Sequence, residues 1–192
     1  TNLLVVVALN LALGFAGGGI DNLGRMTFDA ANATNTVWHG GLKNSGLLRQ
    51  TGGILRIHAQ EGGASSVKNA TGGVWQIAAD GAAVFGGTGW GTVTFKNHGS
   101  LVKSAGDGPA TITLQYSGSG AGGFQNDGDI AVQSGALHIG DRFTHTGGRL
   151  AVDEGAALHL PAFTLAGGTL AGGGTLVTPT LTSAGTVAPG AS

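Results

Sequence analysis

Ten carboxylates and six histidines are the main groups that the 192 residues offer for acid–base or metal chemistry, and cysteine is absent. Two carboxylates stand close together in "NDGD", Asp127 and Asp129, and two more in Asp153-Glu154. Glycoside hydrolysis needs two carboxyl groups facing one cleft. Neighbours on a strand point to opposite sides, so Asp153 and Glu154 make no such pair. Asp127 and Asp129 read as solvated turn acids, because their spacing lacks the further oxygen ligands of a Ca²⁺ loop. His138 and His159 fall in the same phase of two similar strand-like segments. On neighbouring coils they could share a metal with Asp141 or His145; solvation of both is the simpler reading. "GSGAGG", Gly118 to Gly123, matches a dinucleotide fingerprint in form only, since no helix follows to hold a pyrophosphate. Trp38, Trp75, Trp90 and Tyr116 would make a sugar-binding strip if they faced outward together; filling an interior is their expected role. The sequence therefore assigns no catalytic residue, no metal and no cofactor.

Composition says what kind of element must hold these residues. Glycine supplies 39 positions, and charged residues only 10%, against about 25% in ordinary soluble domains. A surface of Thr, Ser, Asn, Gln and Gly suits strands and turns rather than helices. Hydrophobic content of 41% is enough for a core and excludes a disordered chain. Nine basic and ten acidic residues fall singly, for a net charge of −1; the sequence predicts no basic stripe and no nucleic-acid partner. The apolar run from Leu3 to Leu13 is shorter than the ~20 residues of a membrane span and reads as strand.

A repeat fixes the architecture. An apolar residue, any residue, Asn, any residue and Gly recur in "IDNLGRM" from Ile20, "LKNSGLL" from Leu42 and "FKNHGSL" from Phe95. The pattern returns in "FQNDGDI" from Phe124, stretched in "VKNATGGV" from Val67, and weakened in "FTHTGGRL", "LAGGTL" and "LTSAGTV". Starts lie 16 to 29 residues apart, the length of one coil in a parallel β-solenoid. Between turns the alternation has period two: Leu137 and Ile139 oppose Ala136 and His138, and Leu158 and Leu160 oppose His159. The prediction is an all-β, single-domain parallel β-solenoid of about eight coils over 1–192. Residues 1–19 form its apolar N-terminal strand region and 20–192 its Asn-Gly coils, roughly 40 Å long at one rung per strand spacing. Asn22, Asn44, Asn69, Asn97 and Asn126 are expected to stack as an amide ladder along the axis. Gly24, Gly46, Gly99 and Gly128 are expected to supply positive φ at the corners.

Two stretches, "FKNHGSLVKSAGDGPATI" with "FQNDGDIAVQSGALHI" and "LAGGTLAGGGTLVTPTLTSAGTVAPGAS", resemble the β-helical stalks of autotransporter passengers and filamentous-haemagglutinin-like adhesins of bacterial surfaces. The likeness covers residues 90–192 well and 20–89 loosely. It implies a right-handed β-helix, exported to the bacterial surface, with a structural or adhesive role. Neither end carries a polar cap, and "GTVAPGAS" followed by "TNLLVVVALNLALG" reads as continuous rungs. Two expectations follow: a segment of a longer repetitive protein, or a subunit that stacks on copies of itself head to tail. The joint would use Leu3, Leu4, Val5, Val7, Leu9 and Leu11 at one end and Leu181 and Val187 at the other, with exchange of the first strand as a variant. The function expected is a non-enzymatic extracellular filament, sheath or adhesin, with surface glycans as a further partner; the alternative is a carbohydrate-binding or carbohydrate-cleaving β-helix.

Overall fold

The computed structural model describes residues 3–7, 12–14, 19–29, 34–38, 40–59, 63–86, 91–114, 122–140 and 142–190; of 3–7, 12–14 and Trp38 it describes the backbone alone. Among these residues there is no helix, and 25 strands, numbered in chain order, build three parallel sheets. The first sheet runs β1 (Leu3–Val7), β4 (Arg25–Asp29), β7 (Leu47–Gln50), β10 (Val74–Ile77), β13 (Ser100–Lys103), β16 (Asp129–Val132), β19 (Arg149–Val152), β22 (Thr169–Gly172) and β25 (Thr186–Pro189). Every third strand thus returns to the same sheet.

The second sheet runs β2 (Ala12–Gly14), β5 (Thr34–Trp38), β8 (Ile54–His58), β11 (Ala83–Gly86), β14 (Pro109–Thr113), β17 (Ala136–Ile139), β20 (Ala157–His159) and β23 (Thr175–Val177). The third runs β3 (Ile20–Asn22), β6 (Leu42–Asn44), β9 (Ala64–Asn69), β12 (Thr92–Asn97), β15 (Gly123–Asn126), β18 (Phe143–His145), β21 (Phe163–Leu165) and β24 (Leu181–Ser183). The chain is a parallel β-solenoid of about eight coils, as the repeat predicts. β1 belongs to the first coil, paired with β4 from Leu3 opposite Arg25 to Val7 opposite Asp29.

Repetition of inward positions makes the core. In the first sheet Met26, Leu48, Trp75, Leu101, Ile130, Leu150 and Leu170 stand opposite one another from rung to rung. In the third sheet Leu42, Val67, Phe95 and Phe124 form a column whose aromatic part continues through Phe143 and Phe163. Ring centroids are 4.7 Å apart for Phe95 and Phe124, 5.7 Å for Phe124 and Phe143, and 5.3 Å for Phe143 and Phe163. Identical neighbours suit a stacked sheet because each ring finds its like one rung above, at van der Waals distance.

Coil length varies along the axis. The offset between paired residues is 29 where Ser100 faces Asp129 and 17 where Thr169 faces Thr186. The long coils hold Trp75, Phe95 and Phe124, the shorter ones after them Phe143 and Phe163, and the last rung only leucines, valines and small residues. Toward that end burial falls away: Leu170, Leu176 and Leu181 are half-buried, and Val187 is 50% exposed.

Candidate functional site

The most extended polar feature is the amide ladder at the end of the third sheet. Asn22 donates from Nδ2 to Oδ1 of Asn44 at 2.6 Å, Asn44 to Asn69 at 2.8 Å, Asn69 to Asn97 at 2.8 Å and Asn97 to Asn126 at 2.6 Å. The second hydrogen of each Nδ2 goes to a backbone carbonyl: Leu47, Val74, Ser100 and Asp129 in turn. Those carbonyls fix which side of each amide is nitrogen, so the ladder has one polarity along the whole row. All five asparagines are buried. Asn69, in an N-x-T sequence, has both amide hydrogens committed inside the protein.

His145 ends the row. It occupies the Asn position of "FTHTGGRL", is wholly buried, and its Nδ1 lies 2.7 Å from Nδ2 of Asn126. Asn126 is the donor, so Nδ1 accepts and the proton sits on Nε2, which has no partner among the described residues. Burial lowers the pKa of His145, and the charge of Asp129 raises it in part. The expectation that His145 could join an outward metal site is therefore corrected: it stands in the amide column, inside the wall.

The glycine expectation is corrected as well. Gly24, Gly46, Gly99 and Gly128 are not among the glycines at positive φ. Close approach requires glycine at three of them: a Cβ on Gly46 would lie 2.0 Å from the carbonyl oxygen of Gly24, on Gly99 2.3 Å from that of Gly73, and on Gly128 2.2 Å from that of Gly99. Positive φ occurs in the same column only later, at Gly148 and Gly168.

Other candidates separate. Asp127 binds His98 at 2.6 Å, whereas Asp129 accepts from the backbone N–H of Arg149 at 2.9 Å, so each acid has its own partner. Asp153 and Glu154 are exposed. His138 and His159 do stack on neighbouring rungs of the second sheet, ring centroids 4.0 Å apart. Burial and, next, the charge of His159 lower the pKa of His138. Among the described residues no group of three His, Asp or Glu could hold a metal ion. Trp75 is in the core, the interior-filling role expected of it. Asp141, Trp90, Tyr116, Leu9, Leu11 and most of Gly118–Gly123 lie outside the described residues, as does the side chain of Trp38.

Two basic features escaped the sequence reading. Lys103 is fully buried at a corner, where Nζ donates to the carbonyls of Ala105 and Gly106 and to Oδ1 of Asp80 at 3.3 Å. On the outer face of the third sheet, Lys43, Lys68 and Lys96 stand directly opposite one another on three successive rungs. This corrects the expectation of singly scattered charge. The signal was in the repeat, because each lysine immediately precedes a ladder asparagine: "LKN", "VKN" and "FKN". At the foot of the row Lys43 bonds Asp21 at 3.1 Å. A groove of about 440 Å³ runs beside it over Gly19, Gly41 and Ser66.

At the far end of the rod, a recess of about 130 Å³ opens between Leu170, Leu176, Val187 and Pro189. No helix among the described residues is long and apolar enough to cross a membrane. No family model, curated protein or solved structure matches the chain.

Proposed function

We propose that the chain is a structural β-solenoid, a subunit or segment of an extracellular filament, sheath or adhesin stalk of a bacterial surface, whose end rungs receive further rungs. The observation that carries this reading is the unbroken pairing of all three sheets around one filled interior. Such a body resists bending because every backbone ladder runs along the axis. The likeness of residues 90–192 to passenger stalk repeats supports the bacterial-surface part.

The last described rung suits a further rung, from a second copy or from more of the same chain: Val187 is half-exposed, and β25 offers an edge that another strand can pair. Electron microscopy tests the reading. The purified chain is expected to form rods several times the roughly 40 Å of one copy, and the V187D/L181D double variant single-length particles. Single-length particles from the unaltered chain at high concentration would remove self-stacking and leave the segment of a longer stalk.

A further inference from the structure

We infer that Lys43, Lys68 and Lys96 form a binding strip for a linear anionic polysaccharide lying along the rod. The chain has four lysines. One, Lys103, is buried, and the other three all occupy this single column of the third sheet. Like charges directly opposite one another on neighbouring strands destabilise a sheet. Nothing in the folding of a chain with so few charges requires that arrangement. Lys43 is offset by Asp21; Lys68 and Lys96 make no ion pair among the described residues. The turn acid Asp127 is engaged by His98.

The shape of the face selects the ligand. Lysine ammonium groups repeat about every 5 Å, one strand spacing, in a row one residue wide. A planar array of charges, such as a lipid surface, has no match in a single row. A chain of sugars bearing a carboxylate on each ring, or each second ring, carries its charges at one or two such spacings. Beside the row the neighbouring column reads Gly41, Ser66, Thr94 and Gly123, flat and hydroxyl-bearing. Such a floor offers hydrogen bonds to sugar hydroxyls. It lacks the aromatic platforms on which single-stranded nucleic acid stacks. Above Lys96 the column continues as Gln125 and Thr144, both neutral. The strip lies on a side face, so this inference stands whether or not the rods stack end to end.

Affinity electrophoresis and calorimetry of the whole chain with polygalacturonate provide the test, with neutral dextran and an oligothymidylate as comparisons. Binding to polygalacturonate is expected, weakening steadily as salt rises because Lys43 and Lys68 are exposed and Lys96 partly so, with none to dextran. The K68Q/K96Q double variant should bind at least about tenfold more weakly, roughly 1.4 kcal/mol, while unfolding at the same or a higher temperature, since the facing like charges are gone. R49Q, which removes a charge from the first sheet, should bind as the unaltered chain does. Equal binding by K68Q/K96Q, no binding by the unaltered chain, or tighter binding of the oligothymidylate at equal charge concentration would each overturn the inference.

Discussion

At the scale of single residues, the amide ladder changes chemistry at His145. Asn126 presents a donor to Nδ1 of His145, so only the neutral ring with its proton on Nε2 fits. Protonating Nδ1 would set two donors against each other, and Asn126 cannot turn its amide around without losing the carbonyl of Gly128 and opposing Asn97. Burial acts in the same direction, holding the pKa below the ordinary 6.5. The unfolded chain, whose histidine titrates near that ordinary value, therefore takes up the proton first. Stability is full above pH 6.5 and declines as pH falls through 6.5 toward the folded value. Denaturant unfolding across that range should show this loss, with His138 adding to it in the same sense. In H145N the ladder gains a sixth amide that does not titrate, so the loss on acidification should shrink. An unchanged slope would mean that His145 carries no proton linkage. The asparagines were legible in the sequence because an Asn before Gly at coil spacing has one economical use. His145 was not, because a lone histidine in an alternating strand reads equally as an outward residue, and only its place in a weakened repeat marks it as an amide substitute.

At the scale of the strand and its turn, two kinds of glycine do different work. Gly72 sits at φ +81 with open space where a Cβ would project. Gly99 has no such dihedral, but a Cβ there would meet the carbonyl oxygens of Gly73 at 2.3 Å and Ala70 at 2.4 Å, both backbone. G72A is expected to lose about 1 kcal/mol from left-handed strain. G99A must push neighbouring coils apart at a corner held by the ladder, and about 3 kcal/mol is expected. Denaturant midpoints of the two variants check the order; equal losses would show that close approach is not what requires glycine at Gly99. Strand positions and inward faces were readable from period-two alternation, as in Leu137, Ile139, Leu158 and Leu160, all buried. What alternation cannot give is the neighbour one coil away. Whether Gly99 turns the chain or merely lets another backbone pass, and whether Lys43, Lys68 and Lys96 meet, depends on register across coils of unequal length. That register emerges only when the asparagines are lined up.

At the scale of the whole molecule, each coil touches only the coils beside it, so stability is a sum of local terms along one axis. Those terms are unequal. The middle coils bury Trp75, Phe95 and Phe124 completely, while the last rung leaves Val177 and Val187 about half exposed and Leu181 half-buried. Opening the last rung exposes little new apolar surface, whereas opening a middle coil disrupts interfaces on both sides. Backbone amide exchange should therefore be graded: slowest in β13 and β16, and progressively faster through β19 and β22 to β25. Concentration supplies the second half of the prediction. If another rung seats on the end, the amides of β23, β24 and β25 should gain protection as the protein is concentrated, while β13 and β16 do not change. Uniform protection from β13 to β25 in dilute solution would contradict the graded account, because it would require the rod to open as one unit. Gain of protection at the last rung alone is what axial stacking predicts and lateral clumping of side faces does not, since lateral contacts leave the hydrogen bonds of that edge as they were.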